Sequence, residues 1–171
     1  MTQSNMEIPG YALPILFFRI ADTILGTELK WIREVVTARQ LTPLPNSNNF
    51  VAGVVNIRGD VISVLDTASL LHIKSDKEPE RILLLDIHGA PVGLAVQHVI
   101  SVQAVMPEAF STITRTDAKD IPAEYISGIT SSEKDRVPLL NIPKLISHIE
   151  DIPQTGKRYG EVGDRDLAAS L

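Results

Sequence analysis

The chain has no cysteine in its 171 residues, which excludes disulfides, thiol nucleophiles and cysteine-bound zinc together. Aromatic side chains are few and scattered (one Trp, three Tyr, four Phe), so a base-stacking platform is not built here. Long apolar runs are also missing. The first, at 13–18, is ended by Arg19, far short of the ~20 residues that span a bilayer. Positive charge is not in excess: 16 Lys and Arg stand against 21 Asp and Glu, a formal net charge of -5, so nucleic acid is not an expected partner. The opening MTQSNMEIPG lacks the basic start of a signal peptide, and neither end carries a lipidation motif. The expectation is a cytoplasmic protein that meets a membrane only through a partner.

Catalytic constellations are missing as well. His72, His88, His98 and His148 lie far apart without metal-ligand spacing, and there is no nucleophile elbow, P-loop or dinucleotide fingerprint. Asp66 closes an apolar run, where capping the following turn is its commoner task. Arg58-Gly59-Asp60 reads as a hairpin tip rather than an integrin-recognition string. No catalytic residue, metal or cofactor is assigned.

What is present is a series of short Val- and Ile-rich bursts: ILFFRI (15–20), VVNI (54–57), VISVL (61–65), ILLLDI (82–87) and VISVQAV (99–105). Their length and β-branching predict strands in a mainly β fold with few short helices. Arg58-Gly59-Asp60 and His88-Gly89-Ala90-Pro91 read as hairpin turns. Residues 27–36 (TELKWIREVV) place Leu29, Ile32 and Val36 at helical spacing, with a strand as the alternative. Asp66 and Asn141 are expected to cap short helices, the second running over 142–150 with Pro143 in its first turn.

An internal repeat organises these pieces. At an offset of 67, residues 15–20 align with 82–87, Gly26 with Gly93, Leu29 with Val96, Ile32 with Val99 and Val35 with Val102. At an offset of 75, residues 51–66 align with 126–141, Gly53 with Gly128 and Asp60 with Asp135. The second copy thus carries eight extra residues within 107–124. A duplicated β-barrel is expected, with a charged linker at 74–80 and a flexible tail over 151–171.

Residues 43–66, PLPNSNNFVAGVVNIRGDVISVLD, resemble the signature of the CheW-like domain family: a proline-flanked loop, then G-x-x-N-[ILV]-R-G, an apolar strand and an acidic end. Gly53, Asn56-Ile57-Arg58-Gly59, 61–65 and Asp66 stand at those positions. Residues 32–35 are similar to the family's V-x-E-[VI] element, 91–96 to its V-G-[FIL]-x-V strand, and 125–146 to its closing element. The resemblance implies two similar five-stranded, SH3-like β-barrels over 12–150, the first about 12–75 and the second about 80–150, after an N-terminal extension of 1–11. It also implies a non-enzymatic adaptor that couples the cytoplasmic signalling tips of chemoreceptors to the regulatory domain of a CheA-type histidine kinase.

Carried over by position, the receptor-facing groove would draw on Leu16, Leu29, Ile32, Val35 and Val96, each equally readable as core. Glu34 and Arg58, with Asn56 in the same motif, are harder to read as core because charged groups resist burial. The chain departs from the family's usual Pro at Ser63, Leu at Thr67 and Asp at Gln97, and Asn48 and Asn49 replace residues often proline. Gln97 is expected beside the groove, where the lost charge would alter partner choice. The alternatives are a coupler of a non-flagellar chemosensory pathway and, from another class, a small-molecule-binding or enzymatic β-barrel.

Overall fold

The structure, a computed structural model, describes residues 11–39, 41–45, 49–87, 89–112, 120–132 and 135–147. The apolar bursts become strands: β1 (Leu13–Ile20), β2 (Thr23–Glu28), β3 (Ile32–Thr37), β4 (Val51–Ile57), β5 (Asp60–Asp66), β6 (Arg81–Ile87), β7 (Ala90–Val96), β8 (His98–Val105), β9 (Ile126–Ser132) and β10 (Asp135–Leu140). Two short helices, α1 (Thr67–Leu70) and α2 (Ile142–Ser147), follow β5 and β10. Asp66 and Asn141 cap them as expected, accepting the backbone N–H of Ser69 and Lys144, each at 3.1 Å. Residues 148–150, the end of the expected second helix, and the tail 151–171 lie outside the described residues, as does His88.

Residues 27–36 are not a helix. Their first residues finish β2, a 3-10 turn occupies Leu29–Trp31, and the rest is β3. Over β3 half-buried and exposed residues alternate, and the strand pairs with β6 from Ile32–Leu85 to Thr37–Arg81. Ile32 and Val36 lie four apart, a spacing that suits one face of a helix and one face of a strand alike. The long apolar partner β6 decides for the strand.

The strands form two five-stranded sheets, ordered β8-β1-β2-β10-β9 and β3-β6-β7-β5-β4. The repeat arithmetic holds to the register. Phe17 pairs with Gly26 and Leu84 with Gly93, while Gly53 pairs with Val64 and Gly128 with Leu139. Even the bulges correspond: the extra residues are Arg33 and Ile100 on the edge strands, and Ala52 and Ser127 on the hairpins. Neither sheet coincides with a half of the sequence, however. Each takes the first hairpin of one repeat and the remaining three strands of the other, so 12–75 and 80–150 delimit repeats rather than sheets. The 3-10 turn after β2 and Gln97 after β7 are the two crossovers that exchange the strands.

Burial follows this exchange. Ile15, Phe17, Val105, Val137 and Leu139 fill the first sheet's concave side, and Val55, Ile62, Val64, Ile82, Leu84 and Ala95 fill the second's. A larger core, including Leu16, Phe18, Leu25, Leu83, Leu85, Leu94 and Leu140, lies between the sheets. β1 and β6 therefore bury both faces, which is why they read as unbroken apolar runs rather than alternating ones. Each sheet curls, and one isolated bridge joins its two edges: Thr42 with Val54 in the second sheet, Ser111 with Ile129 in the first.

Candidate partner-docking site

β4 and β5 are joined by two residues, Arg58 and Gly59, with φ of 53° and 91°. Positive φ at both positions is what a tight hairpin with the right-handed strand twist requires. Gly59 adopts it freely, whereas Arg58 carries a side chain in a region that costs an L-residue roughly 1–2 kcal/mol. Asn56 supports the turn, its Oδ1 accepting the Gly59 N–H at 3.0 Å. Asp86 does the same for Gly89 at 3.1 Å in the β6–β7 hairpin.

From this tip Arg58 reaches Glu34 on β3. Nη1 donates to Oε2 at 2.8 Å and Nη2 to Oε1 at 2.7 Å, a two-point guanidinium–carboxylate pair. β3 and β4 are the two edges of the second sheet, so the pair ties one edge strand to the hairpin at the opposite edge. The Arg58 hydrogen bonds are the main cause that holds the Glu34 carboxyl below its ordinary value, with smaller Coulomb contributions from Arg58 and Arg33. Arg58 is correspondingly raised, first by the same hydrogen bonding. Its side chain stays 69% exposed. Two of its five N–H donors are engaged by Glu34, and the outward ones are available to a partner.

The expected groove residues divide into two sets. Leu16 and Val96 are buried in the shared core, and Leu29 and Ile32 are half-buried against it. Val35, next to Glu34, is 38% exposed. The structure therefore brings Glu34, Arg58 and Asn56 together at the hairpin tip, leaves Val35 exposed beside Glu34 on β3, and buries Leu16 and Val96 in the shared core. Gln97 is buried; its Oε1 accepts the Ala21 N–H at 2.7 Å, and its Nε2 donates to Ser75 Oγ at 2.6 Å and to the Lys77 carbonyl at 3.4 Å. A side chain whose amide is spent on these bonds is an internal pin between the β1–β2 turn and the linker.

Several exposed apolar residues lie outside the expected groove set, Phe50, Ile100 and Val102 among them. Val102, the counterpart of Val35 on β8, is 50% exposed, and the offset of 67 already pointed to it. Lys30 packs over the Trp31 ring at 5.1 Å and pairs with Glu28 at 2.7 Å beside the first crossover. Among the described residues no group of three or more His, Asp or Glu is placed to hold a metal. None of their helices is long and apolar enough to cross a membrane.

Comparison with known proteins agrees with this architecture. The model of the CheW-like domain matches residues 14–150. A chemotaxis protein CheW from Thermotoga maritima is 27% identical over 136 residues, covering 79% of this chain and 88% of the relative. Protein FrzA of Myxococcus xanthus is 32% identical over 136 residues, covering 75% of this chain and 82% of that protein. Among solved structures, the scaffolding protein TtCheW of Thermoanaerobacter tengcongensis superposes with a TM-score of 0.73 at 21% identity. The superposition covers 92% of this chain and 98% of that one.

Proposed function

The chain belongs to the CheW-like domain family, and we propose on that footing that it is a non-enzymatic adaptor coupling chemoreceptors to a CheA-type histidine kinase. The observation that carries the finer reading is the Glu34–Arg58 pair. An exposed two-point pair contributes little to stability, so a strained arginine at a hairpin tip has a weak structural reason to be there. A guanidinium already oriented by a carboxylate loses less freedom when a partner's carboxylate or carbonyl meets it.

The rim of Glu34, Val35, Arg58 and Asn56 is thus assigned to the receptor's signalling tip, with the half-buried Leu29 and Ile32 as its floor. The kinase regulatory domain, of the same fold, takes a separate barrel surface. Bound to receptors, the protein is held at the inner face of the membrane by its partners alone. Purified protein should recover a receptor signalling fragment and the kinase together in one pull-down. Recovery of neither overturns the adaptor reading; recovery of the kinase alone would remove the receptor assignment of this rim.

A further inference from the structure

Each sheet ends in two edge strands, and an edge offers unpaired N–H and C=O groups to any chain able to add a strand. The edges β4 and β9 are covered in part by the bridges from Thr42 and Ser111. β3 carries Arg33 and Glu34, and the Glu34–Arg58 clasp spans its sheet. β8 is the less protected edge. Among the described residues it pairs only with β1. From Val99 to Val105 it holds no charge and no proline, and Ile100 and Val102 are 41% and 50% exposed.

The sequence of β8 is also symmetric about one residue. Outward from Val102 stand Ser101 and Gln103, then Ile100 and Ala104, then Val99 and Val105: polar, apolar, apolar on both sides. Two identical strands paired antiparallel across a two-fold axis set each residue against its mirror position, so like chemistry must meet like. With the axis at Val102, Ser101 of one copy faces Gln103 of the other. The same two side chains already bond within one strand, Gln103 Nε2 donating to Ser101 Oγ at 3.1 Å. Val102 meets itself, the exposed Ile100 meets Ala104, and no like charges come together. β3 fails this test. An axis at Arg33 or Glu34 opposes like charges, and one at Val35 sets Glu34 against Val36.

We propose that β8 is a self-association edge, through which two copies of this chain pair antiparallel about Val102 and join their first sheets into one. The bulge at Ile100 bounds the regular ladder at each end. A contact of this size falls below the ~1,200 Å2 that stable complexes bury, so the dimer is weak, with a dissociation constant on the order of 0.1 mM. The edge belongs to the first sheet and the clasp to the second, so self-pairing stands whatever the clasp binds.

The absence of native cysteine makes the register directly readable. In the full chain, Val102→Cys puts a thiol on the axis, opposite its own copy at the Cα separation of about 4.5–5.5 Å that paired strands have and a disulfide spans. Ala104→Cys is likewise exposed but lies about 13 Å along the strands from its copy. Under mild oxidation at about 0.1 mM protein, Val102→Cys should form the interchain disulfide at least about tenfold faster than Ala104→Cys. Sedimentation of the unmodified chain should show a monomer–dimer equilibrium. Val102→Lys, which brings two ammonium groups together on the axis, should shift it to monomer at unchanged melting temperature. Equal disulfide rates, or a dimer that Val102→Lys leaves intact, overturn the proposal. So does a chain that stays monomeric at about 1 mM, which would leave this edge to a strand of another protein.

Discussion

The two sheets share strand order, register and bulges, yet they are built to different tolerances. In the second sheet the parallel pairing of β5 with β7 runs over four residues, from Ser63–Val92 to Asp66–Ala95. In the first sheet, β10 and β2 meet only at Leu139–Gly26. Pro138 stands where the second sheet has Ser63, and a proline has no N–H to give to a ladder. The edges differ too. Glu34 and Arg58 clasp the second sheet, while Ser101 occupies the position of Glu34 in the first. Among the described residues three buried hydroxyls, those of Thr27, Thr67 and Thr130, make no hydrogen bond, and their counterparts are the buried Leu94, Ile142 and Val55. Duplication has kept the shape of the strands and let the chemistry at their seams diverge.

The largest break in this comparison is expected at its glycines. Gly53 has φ of 154° and the Thr42 carbonyl against its missing side chain, so Gly53→Ala should cost about 2–4 kcal/mol. At its counterpart an added Cβ would make only an ordinary van der Waals contact, 3.7 Å from the Ser111 oxygen, and Gly128→Ala should stay within about 0.5 kcal/mol of wild type. Urea midpoints at unchanged slope read both, and equal losses would contradict the asymmetry. Gly26 and Gly93 are the control pair. A Cβ there would meet Leu139 at 2.6 Å and Ile82 at 2.7 Å, so Gly26→Ala and Gly93→Ala should lose similar amounts, roughly 1–2 kcal/mol.

A smaller effect of opposite sign is expected from restoring the symmetry of the cores. Thr130→Val places the second sheet's residue type into the first and removes an unpartnered buried hydroxyl. The gain should be about 1 kcal/mol in the same unfolding experiment, and Thr27→Val should behave alike. A loss of stability in both would show that those hydroxyls are satisfied in solution.

The smallest effect concerns the clasp and acid. Glu34 has its folded value depressed, so the clasp's contribution is complete above the ordinary glutamate value of 4.5. That contribution is lost as pH falls through the lower, folded one. Carboxyl NMR titration should find Glu34 below its usual range and, in Arg58→Ala, most of the way back to it. With the pair exposed, melting temperature should hardly respond. An unshifted Glu34 would mean the clasp does not persist in solution.

Much of this was legible in the sequence because the apolar pattern and the repeat are local properties. The strands of 15–20 and 82–87, both helix caps and both hairpins are found where their residues placed them. The strand exchange was not legible. Swapping equivalent strands between two copies of one unit leaves every offset unchanged, so the repeat arithmetic cannot distinguish exchanged sheets from separate ones. The hydrogen bonds of Gln97 were not legible either: its acceptor role depends on Ala21 having φ of 52° and turning its N–H inward, which no residue pattern announces. Glu34 and Arg58 lie 24 residues apart, and only the resemblance to a family pointed to their meeting.

Affinity separates a partner-binding role of the oriented Arg58 guanidinium from a structural one. A double-mutant cycle on receptor-fragment affinity, with Arg58→Ala, Glu34→Ala and both, tests it most directly. Arg58→Ala should weaken binding roughly tenfold or more, about 1.4 kcal/mol, at unchanged melting temperature. Glu34→Ala should lose less, the two losses should be less than additive, and Arg58→Lys should restore only part because the planar fork is missing. Wild-type affinity in Arg58→Ala, or a protein that no longer folds, would contradict it.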